Sequence, residues 1–240
     1  MTTDATLPDI ALNPAARITL RRMGHELQPL MIVDDVLLNP DDMRAFAIAQ
    51  AYAAAPEGSY YPGRNGALPP GYGAKLTTIL RPLLERIFGF APGQALSHEG
   101  FFGLATTPAA ELQPLQAVPH FDSLNAHRVA TVHYFCGEPY KGTAFFRHQA
   151  TGFETLDARR VETYRQTLFG EMEKLGENGL AHVGHDMPFF EEIDYVEAVY
   201  NRLTVYRSTS LHAGILGESP LASRPEDGRL TANSFIEIHR

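Results

Sequence analysis

The 240-residue sequence has a single cysteine, and this scarcity excludes a disulfide framework. Cys136 has no partner for an internal disulfide, and one cysteine cannot build a cysteine-rich zinc site. A lone thiol fits a reducing compartment. The first ten residues also lack a basic stretch followed by an apolar one, which is the pattern of a secretory signal. We therefore expect a cytoplasmic protein.

Clusters of basic residues are missing as well. Twenty Lys and Arg stand against 28 Asp and Glu, which gives a formal net charge of −8. Nucleic acids and anionic membrane surfaces attract concentrated positive charge, so neither is an expected partner. The longest apolar stretch, at 45–55, is shorter than the roughly 18 residues that span a bilayer.

The common nucleotide and hydrolase motifs are also absent. No P-loop occurs, and Gly71-Tyr72-Gly73 lacks the third glycine and the preceding strand of a dinucleotide fingerprint. No G-x-S-x-G nucleophile elbow is present, and Cys136 falls in a predicted strand rather than at a helix N-terminus, where a thiolate is stabilised. Nucleotide-dependent and covalent hydrolase chemistry therefore lose their main sequence support.

The hydrophobic pattern divides the chain into a supporting part and a β-rich part. Residues 1–17 show no sustained period and are expected to form a flexible leader, and 18–94 are expected to form a strand-and-helix support. Over 95–240 the apolar stretches become short and alternating, as in a β-sandwich or barrel. One amphipathic helix interrupts them, in an insertion at about 157–200. We predict one domain over 18–240, mainly β with flanking helices (α+β).

Individual elements follow from the same pattern. Strands are predicted near 28–38, 95–106, 114–118, 128–136, 143–148, 152–156, 203–207, 211–216 and 229–238. Helices are predicted near 40–54, 74–88 and 157–175, the second of them interrupted at Pro82.

The density of proline and glycine at 56–73 predicts a long loop. Loops of this length in compact domains often bind ligands. Tyr60, Tyr61, Arg64 and Tyr72 are therefore expected to contact a substrate. A surface loop that packs its own tyrosines is equally compatible with the pattern.

Two histidines and one aspartate stand out as metal ligands. His120 and Asp122 are two residues apart in an extended segment, so their side chains project to one face and can share an ion. A third ligand must come from elsewhere, and His212 lies on a later predicted strand that can run beside the first. Such a facial triad leaves the opposite coordination positions open, which is typical of non-haem Fe(II) oxygenases.

The order of motifs around these ligands resembles that of the Fe(II)- and 2-oxoglutarate-dependent dioxygenases of the prolyl-hydroxylase-like type. The His-x-Asp motif is followed by a strand with threonine and tyrosine at 128–136, a glycine turn, the distal His212 and a strand that begins with Arg229. The resemblance covers 95–240 and implies a double-stranded β-helix, the jelly-roll or cupin-like barrel. It also implies Fe(II) at the mouth of the barrel, with 2-oxoglutarate and dioxygen as co-substrates.

The resemblance implies roles for further residues. The three ligands would bind iron, and Arg229 would bind the distal carboxylate of 2-oxoglutarate, which needs a fixed and always charged bidentate partner. Arg224 is the competing candidate, although it precedes the strand. Thr231 or Asn233 would add a hydrogen bond to the same carboxylate.

The register of strand 128–136 stays open. Alternation places either Thr131 or Tyr134 on the inward face, together with the neighbours of the chosen residue at spacing two. Tyr134 matches the aromatic residue that is common beside the co-substrate in the family.

The expected reaction is hydroxylation of an aliphatic C–H bond of an unidentified small-molecule or peptidyl substrate, with release of succinate and CO2. Two alternatives remain: a non-catalytic jelly-roll binding module, and a cupin-like metalloenzyme that does not use 2-oxoglutarate. Ligands of this type also accept Mn(II). The apolar stripe of the inserted helix is compatible with packing on the barrel or with a homodimer.

Overall fold

The computed structural model describes residues 7–56, 59, 61–108, 111–175, 184–216 and 221–238. Within these residues the chain is mostly β with three α-helices, so the predicted α+β class is confirmed. The strands are β1 Arg17–Met23, β2 Gln28–Asp34, β3 Ala53–Ala54, β4 Gly63–Gly66, β5 Leu96–Ala105, β6 Arg128–Tyr134, β7 Thr143–His148, β8 Phe190–Val196, β9 Leu203–Arg207, β10 His212–Gly214 and β11 Arg229–Ile238. The helices are α1 Pro40–Ile48, α2 Tyr72–Phe88 and α3 Val161–Leu175. None of the described helices combines the length and apolar composition that a membrane span requires.

The described strands form two antiparallel sheets. The large sheet has the order β1-β2-β9-β6-β11-β5-β4-β3, and the small sheet has the order β10-β7-β8. One face of the large sheet packs on α1 and α2 in a core that includes Phe46, Leu80 and Leu230. The small sheet packs on α3 through Phe146 and Leu168. The other faces of the two sheets pack on each other, and the candidate site lies between them.

The pleat of the large sheet assigns each residue to one of its faces. In the pairing of β6 with β11, Tyr134 lies opposite Thr231 and His133 lies opposite Ala232. Ala232 belongs to the core beneath the helices, whereas Tyr134 belongs to the interior between the sheets. Because alternate residues share a face, Thr131 points toward the helices and Tyr134 toward the other sheet.

Helix α2 continues through Pro82, where the sequence predicts an interruption. Proline removes one backbone hydrogen bond and costs about 3 kcal/mol in a helix interior. The helix nevertheless buries a stripe that contains Leu76, Leu80, Leu84 and Phe88. Burial of each of these side chains contributes about 1.5–3 kcal/mol, which offsets the cost of the proline.

Two segments that the sequence predicts as strands are not strands in the structure. The stretch at 114–118 contains the 3₁₀ turn Pro114–Gln116, because a proline at its start lacks the N–H that a ladder requires. The stretch at 152–156 forms only an isolated bridge, between Thr155 and Ser210. Helix α1 ends at Ile48, earlier than the predicted residue 54.

Other parts of the sheets are absent from the sequence prediction. β1 was not predicted, because six of its seven residues are exposed and the alternation of Ile18 and Leu20 with polar residues is too short a signal. β8 pairs with β7 in the small sheet, so residues 190–196 of the predicted insertion are part of a sheet. Before β1, Ile10 is buried and Leu12 forms a bridge with Leu37, so this stretch is docked on the domain.

Candidate metal centre

Three side chains converge between the two sheets. His120, Asp122 and His212 each offer a ligand atom, and these atoms all lie within 4.8 Å of one another. His120 Nε2 is 3.9 Å from Asp122 Oδ1, and His212 Nε2 is 3.7 Å from Asp122 Oδ2. The sequence-predicted ligands are therefore brought together in the arrangement that a shared ion requires.

Backbone hydrogen bonds hold the ligands in place. The His120 N–H donates to the His212 carbonyl and the His212 N–H donates to the His120 carbonyl, both at 2.9 Å. The Asp122 N–H donates to the Ser208 carbonyl at 2.9 Å. The two histidines are thus paired directly across two chain segments, and Asp122 is fixed two residues further on.

The protonation of His212 is set by its neighbour. Its Nδ1 lies 2.9 Å from the Ser210 carbonyl oxygen, which can only accept a hydrogen bond. We therefore assign the proton to Nδ1, which leaves the lone pair of Nε2 directed at the site. Such a hydrogen bond from the outer nitrogen is the usual support of a metal-binding histidine.

Burial shifts the pKa values of the three side chains. It lowers the pKa of His212 to about 4, and burial together with the nearby His212 lowers the pKa of His120 to about 4. Burial raises the pKa of Asp122 to about 6, against the opposing effect of His120 and Arg128. At neutral pH both imidazoles are neutral and the carboxylate is ionised, which are the ligating forms.

The residues fit a divalent metal ion. Asp122 Oδ2 is buried and has no hydrogen-bond donor among the described residues. A buried carboxylate oxygen without a partner is costly, and a cation offsets that cost. Two imidazole nitrogens and one carboxylate suit Fe(II) or Mn(II), with open positions on the cavity side.

Arg229 lies in the same cavity as the ligands, which has a volume of about 420 Å³. It is the first residue of β11 and is 4 % exposed. Its Nε donates to the Lys141 carbonyl at 2.9 Å and its Nη2 donates to the Gly142 carbonyl at 3.0 Å. The guanidinium is therefore held by backbone acceptors that carry no net charge. The alternative, Arg224, is exposed and pairs with Asp227.

The other predicted co-substrate residues differ in position. The Tyr134 ring lies 6.0 Å from the Arg229 guanidinium carbon, and its hydroxyl bonds the Thr143 hydroxyl at 2.7 Å. Asn233 lines the cavity and donates to the Thr231 hydroxyl at 3.0 Å. Thr131 borders the cavity, but the pleat turns its side chain to the opposite face of β6.

Of the four residues predicted to contact a substrate, one described residue reaches the cavity, although Ser59 and Pro62 of the same loop also line it. Tyr61 lines it, whereas Tyr60 lies outside the described residues. Arg64 is exposed on β4 and donates to the Tyr52 carbonyl at 2.9 Å. Tyr72 is a correction to the sequence prediction, because it begins α2 and its buried hydroxyl bonds His133 Nδ1 at 3.0 Å, in the core beneath the helices.

The sequence analysis missed an aromatic wall of the cavity. Phe101, Phe121 and Phe235 line it together with Tyr206. Arg128 closes the wall: its guanidinium carbon lies 4.7 Å from the centre of the Phe235 ring, and its Nη1 donates to Glu237 Oε1 at 3.2 Å. Phe101 and Phe235 alternate with residues of the other face along β5 and β11, so the pairing of those strands would have identified them.

Residues 14–236 match a protein family that is described as "Family of unknown function (DUF6445)". The chain belongs to the DUF6445 family. No curated protein matches this DUF6445 chain in sequence.

Among solved structures, the DUF6445 chain is similar to HygX from Streptomyces hygroscopicus with nickel, 2-oxoglutarate and hygromycin B bound. The identity is 12 %, the TM-score is 0.46, and the match covers 89 % of this chain and 84 % of HygX. A second similar structure is an N-substituted L-amino acid dioxygenase from Burkholderia ambifaria AMMD. There the identity is 10 %, the TM-score is 0.41, and the match covers 94 % of this chain and 95 % of the other.

Proposed function

We propose that the protein is a non-haem Fe(II)- and 2-oxoglutarate-dependent dioxygenase that hydroxylates an aliphatic C–H bond of a small-molecule or peptidyl substrate. The observation that carries the proposal is the convergence of His120, Asp122 and His212 in one cavity with the buried Arg229. A metal site beside a fixed cation is suited to an acid that chelates the metal at one end and carries a carboxylate at the other.

The three ligands would hold the metal through two neutral imidazoles and one carboxylate. Bound Fe(II), with 2-oxoglutarate and dioxygen, supplies the oxidising chemistry that yields the hydroxylated product, succinate and CO2. The protein positions the reactants and excludes water from them.

Arg229 serves the co-substrate in this proposal. Its Nε and Nη2 are occupied by backbone carbonyls, and no hydrogen bond from Nη1 is formed within the described part of the chain. These two hydrogen bonds fix the orientation of the guanidinium, so Nη1 offers a fixed donor to a carboxylate. The ring of Tyr134 supports the guanidinium from the side.

The aromatic wall would receive the prime substrate. Phe101, Phe121 and Phe235 offer an apolar surface in the cavity. An apolar wall favours an aliphatic C–H group and keeps water away from it. In the proposed function, the two facing sheets correspond to the two halves of a double-stranded β-helix.

The decisive experiment measures succinate. Apo-protein prepared without oxygen is incubated with Fe(II), ascorbate and 2-oxoglutarate, and oxygen is then admitted. We expect the wild type to form succinate, since such enzymes turn over slowly without prime substrate, and we expect His212→Ala and Arg229→Gln to form none. Tightness of Mn(II) binding is measured in parallel by calorimetry and should fall only in His212→Ala.

Matched controls come from residues outside the cavity. His185→Ala removes a partly exposed histidine that contacts Glu192, and Arg224→Ala removes an exposed arginine. Both variants should match the wild type. Absence of Mn(II) binding by the wild type would refute the metal site, and binding of Mn(II) without any binding of 2-oxoglutarate would refute the co-substrate.

A further inference from the structure

The Tyr61 hydroxyl is a buried donor without a partner. It forms no hydrogen bond within the described residues, although the Thr231 hydroxyl lies beside it without full hydrogen-bond geometry. The ring packs edge-on against Phe101 at 5.6 Å between centroids. Burial raises the pKa of Tyr61 to about 12, and Arg229 lowers it, so the phenol stays protonated and lies within the field of the guanidinium.

The space for this hydroxyl is made by a glycine. A Cβ atom at Gly103 would overlap both the Tyr61 hydroxyl and the Asn233 side-chain amide. Gly103 pairs with Thr231 across β5 and β11, and Thr231 and Asn233 share the face of β11 that carries Arg229, at two and four residues from it. A residue with a side chain at position 103 would close this end of the cavity.

The polar end of the cavity has more donors than acceptors. Arg229 Nη1 and the Tyr61 hydroxyl both lack an acceptor among the described residues. The Thr231 hydroxyl already accepts from Asn233 and donates weakly to the Gly103 carbonyl at 3.4 Å. Two free donors beside one uncompensated positive charge are suited to an anion with two acceptor oxygens, which describes a carboxylate.

We propose that the Tyr61 hydroxyl donates a hydrogen bond to the distal carboxylate of the 2-oxo acid at Arg229, and so selects a dicarboxylic over a monocarboxylic co-substrate. This inference rests on the proposed function. It assigns Tyr61, which the sequence suggests as a contact of the prime substrate, to the co-substrate site instead. The carboxylate supplies the acceptor that the hydroxyl lacks.

The size of the effect follows from the environment of the bond. A hydrogen bond to a charged acceptor contributes about 1.5–3 kcal/mol, which is about tenfold to a hundredfold in affinity. The Tyr61 hydroxyl and Arg229 are both buried, which favours the upper part of this range. The same hydroxyl is a liability when no ligand is bound, because a buried donor without an acceptor destabilises the fold.

The test compares two acids and two tyrosine variants. Tyr61→Phe removes the hydroxyl and keeps the ring, and Tyr200→Phe makes the same change where the hydroxyl donates to Asp41 outside the cavity. Binding of 2-oxoglutarate and of 2-oxopentanoate, which lacks the distal carboxylate, is measured by calorimetry on Mn(II)-loaded protein without oxygen. We expect Tyr61→Phe to weaken the binding of 2-oxoglutarate about tenfold to a hundredfold and to leave the affinities for 2-oxopentanoate and Mn(II) unchanged. Tyr200→Phe should change none of the three.

A second readout separates recognition from a structural role. The thermal midpoint of metal-free Tyr61→Phe should equal or exceed that of the wild type, because the substitution removes an unsatisfied buried group. Equal weakening of both acids, or unchanged affinity for 2-oxoglutarate, would overturn the role of Tyr61. If the wild type binds 2-oxoglutarate and Arg229→Gln weakens it while Tyr61→Phe does not, only this inference fails. If the Mn(II)-loaded wild type binds no 2-oxoglutarate, the proposed function fails together with it.

Discussion

A buried histidine outside the metal centre makes the stability of the protein depend on pH. His133 lies on the helix-facing side of β6, with Nδ1 3.0 Å from the Tyr72 hydroxyl and Nε2 3.2 Å from Asn201 Oδ1. The Asn201 amide is oriented by Leu37, whose N–H donates to Oδ1 at 3.1 Å and whose carbonyl accepts from Nδ2 at 2.9 Å. We therefore assign the proton of His133 to Nε2, and Nδ1 accepts from Tyr72.

The magnitude follows from the shift in protonation. Burial lowers the pKa of His133 to about 4, although the hydrogen bond to Asn201 acts in the opposite direction. In the unfolded chain this pKa has its ordinary value of 6.5. Between these values the unfolded state binds a proton that the native state does not, so stability falls as the pH drops below 6.5. One pH unit corresponds to about 1.4 kcal/mol, so protonation of the unfolded chain costs about 2 kcal/mol of stability at pH 5.0.

The assay is denaturation by urea of metal-free protein between pH 7.5 and 5.0. His133→Gln cannot titrate, and subtracting its free energy of unfolding from that of the wild type cancels the contributions of His120 and His212. We expect the variant to be less stable at pH 7.5, and the difference to shrink by about 2 kcal/mol at pH 5.0. A difference that does not change with pH would falsify the assignment of a neutral, buried His133.

Three further predictions concern single substitutions. Glu154→Gln should lower the free energy of unfolding by about 3 kcal/mol in urea titrations at pH 7, because the buried carboxylate accepts from the His25 and Glu26 N–H groups and from Arg147; a loss below about 0.5 kcal/mol would contradict it. Gly103→Ala should abolish 2-oxoglutarate binding in calorimetry while Mn(II) binding persists, since the methyl group fills the space over β5; retained binding would show that this space is not used. Arg229→Lys should weaken the binding of 2-oxoglutarate at least tenfold, because an ammonium lacks the planar fork that the two backbone carbonyls hold. An affinity equal to that of the wild type would refute this prediction.

The metal ligands were accessible to sequence analysis because their geometry is largely local. His120 and Asp122 are joined by the spacing of an extended chain, and the distal His212 follows from the order of the strands. The strand at β11 was predicted with its observed bounds because Leu230, Ala232, Ile236 and Ile238 recur at every second position, interrupted only by Ser234. Such signals depend on a few neighbouring residues.

Tyr72 and β1 show where local signals fail. The prolines and glycines before Tyr72 predict a loop, but Gly71 adopts a left-handed backbone, with φ of 84°, and the helix begins directly after it. The ring of Tyr72 then enters the core to meet His133, a partner 61 residues away. β1 is an edge strand with solvent on both faces, so only its pairing with β2 defines it. Both features depend on long-range contacts that no window of sequence contains.

Backbone hydrogen bonds hold the candidate metal centre in place. His120 and His212 are joined by two backbone hydrogen bonds, and Asp122 is tied to Ser208, so none of these positions needs an ion to bring it to the site. The cores on both sides of the sheets are formed by side chains other than the ligands. We therefore expect the fold to form without a metal, unlike that of small domains that fold only when they bind zinc. Two polar atoms of this cavity are buried without hydrogen-bond partners among the described residues: Asp122 Oδ2 at the candidate metal site and the Tyr61 hydroxyl near Arg229. A metal ion at Asp122 and the distal carboxylate of a metal-chelating dicarboxylic acid at Tyr61 would remove both costs at once.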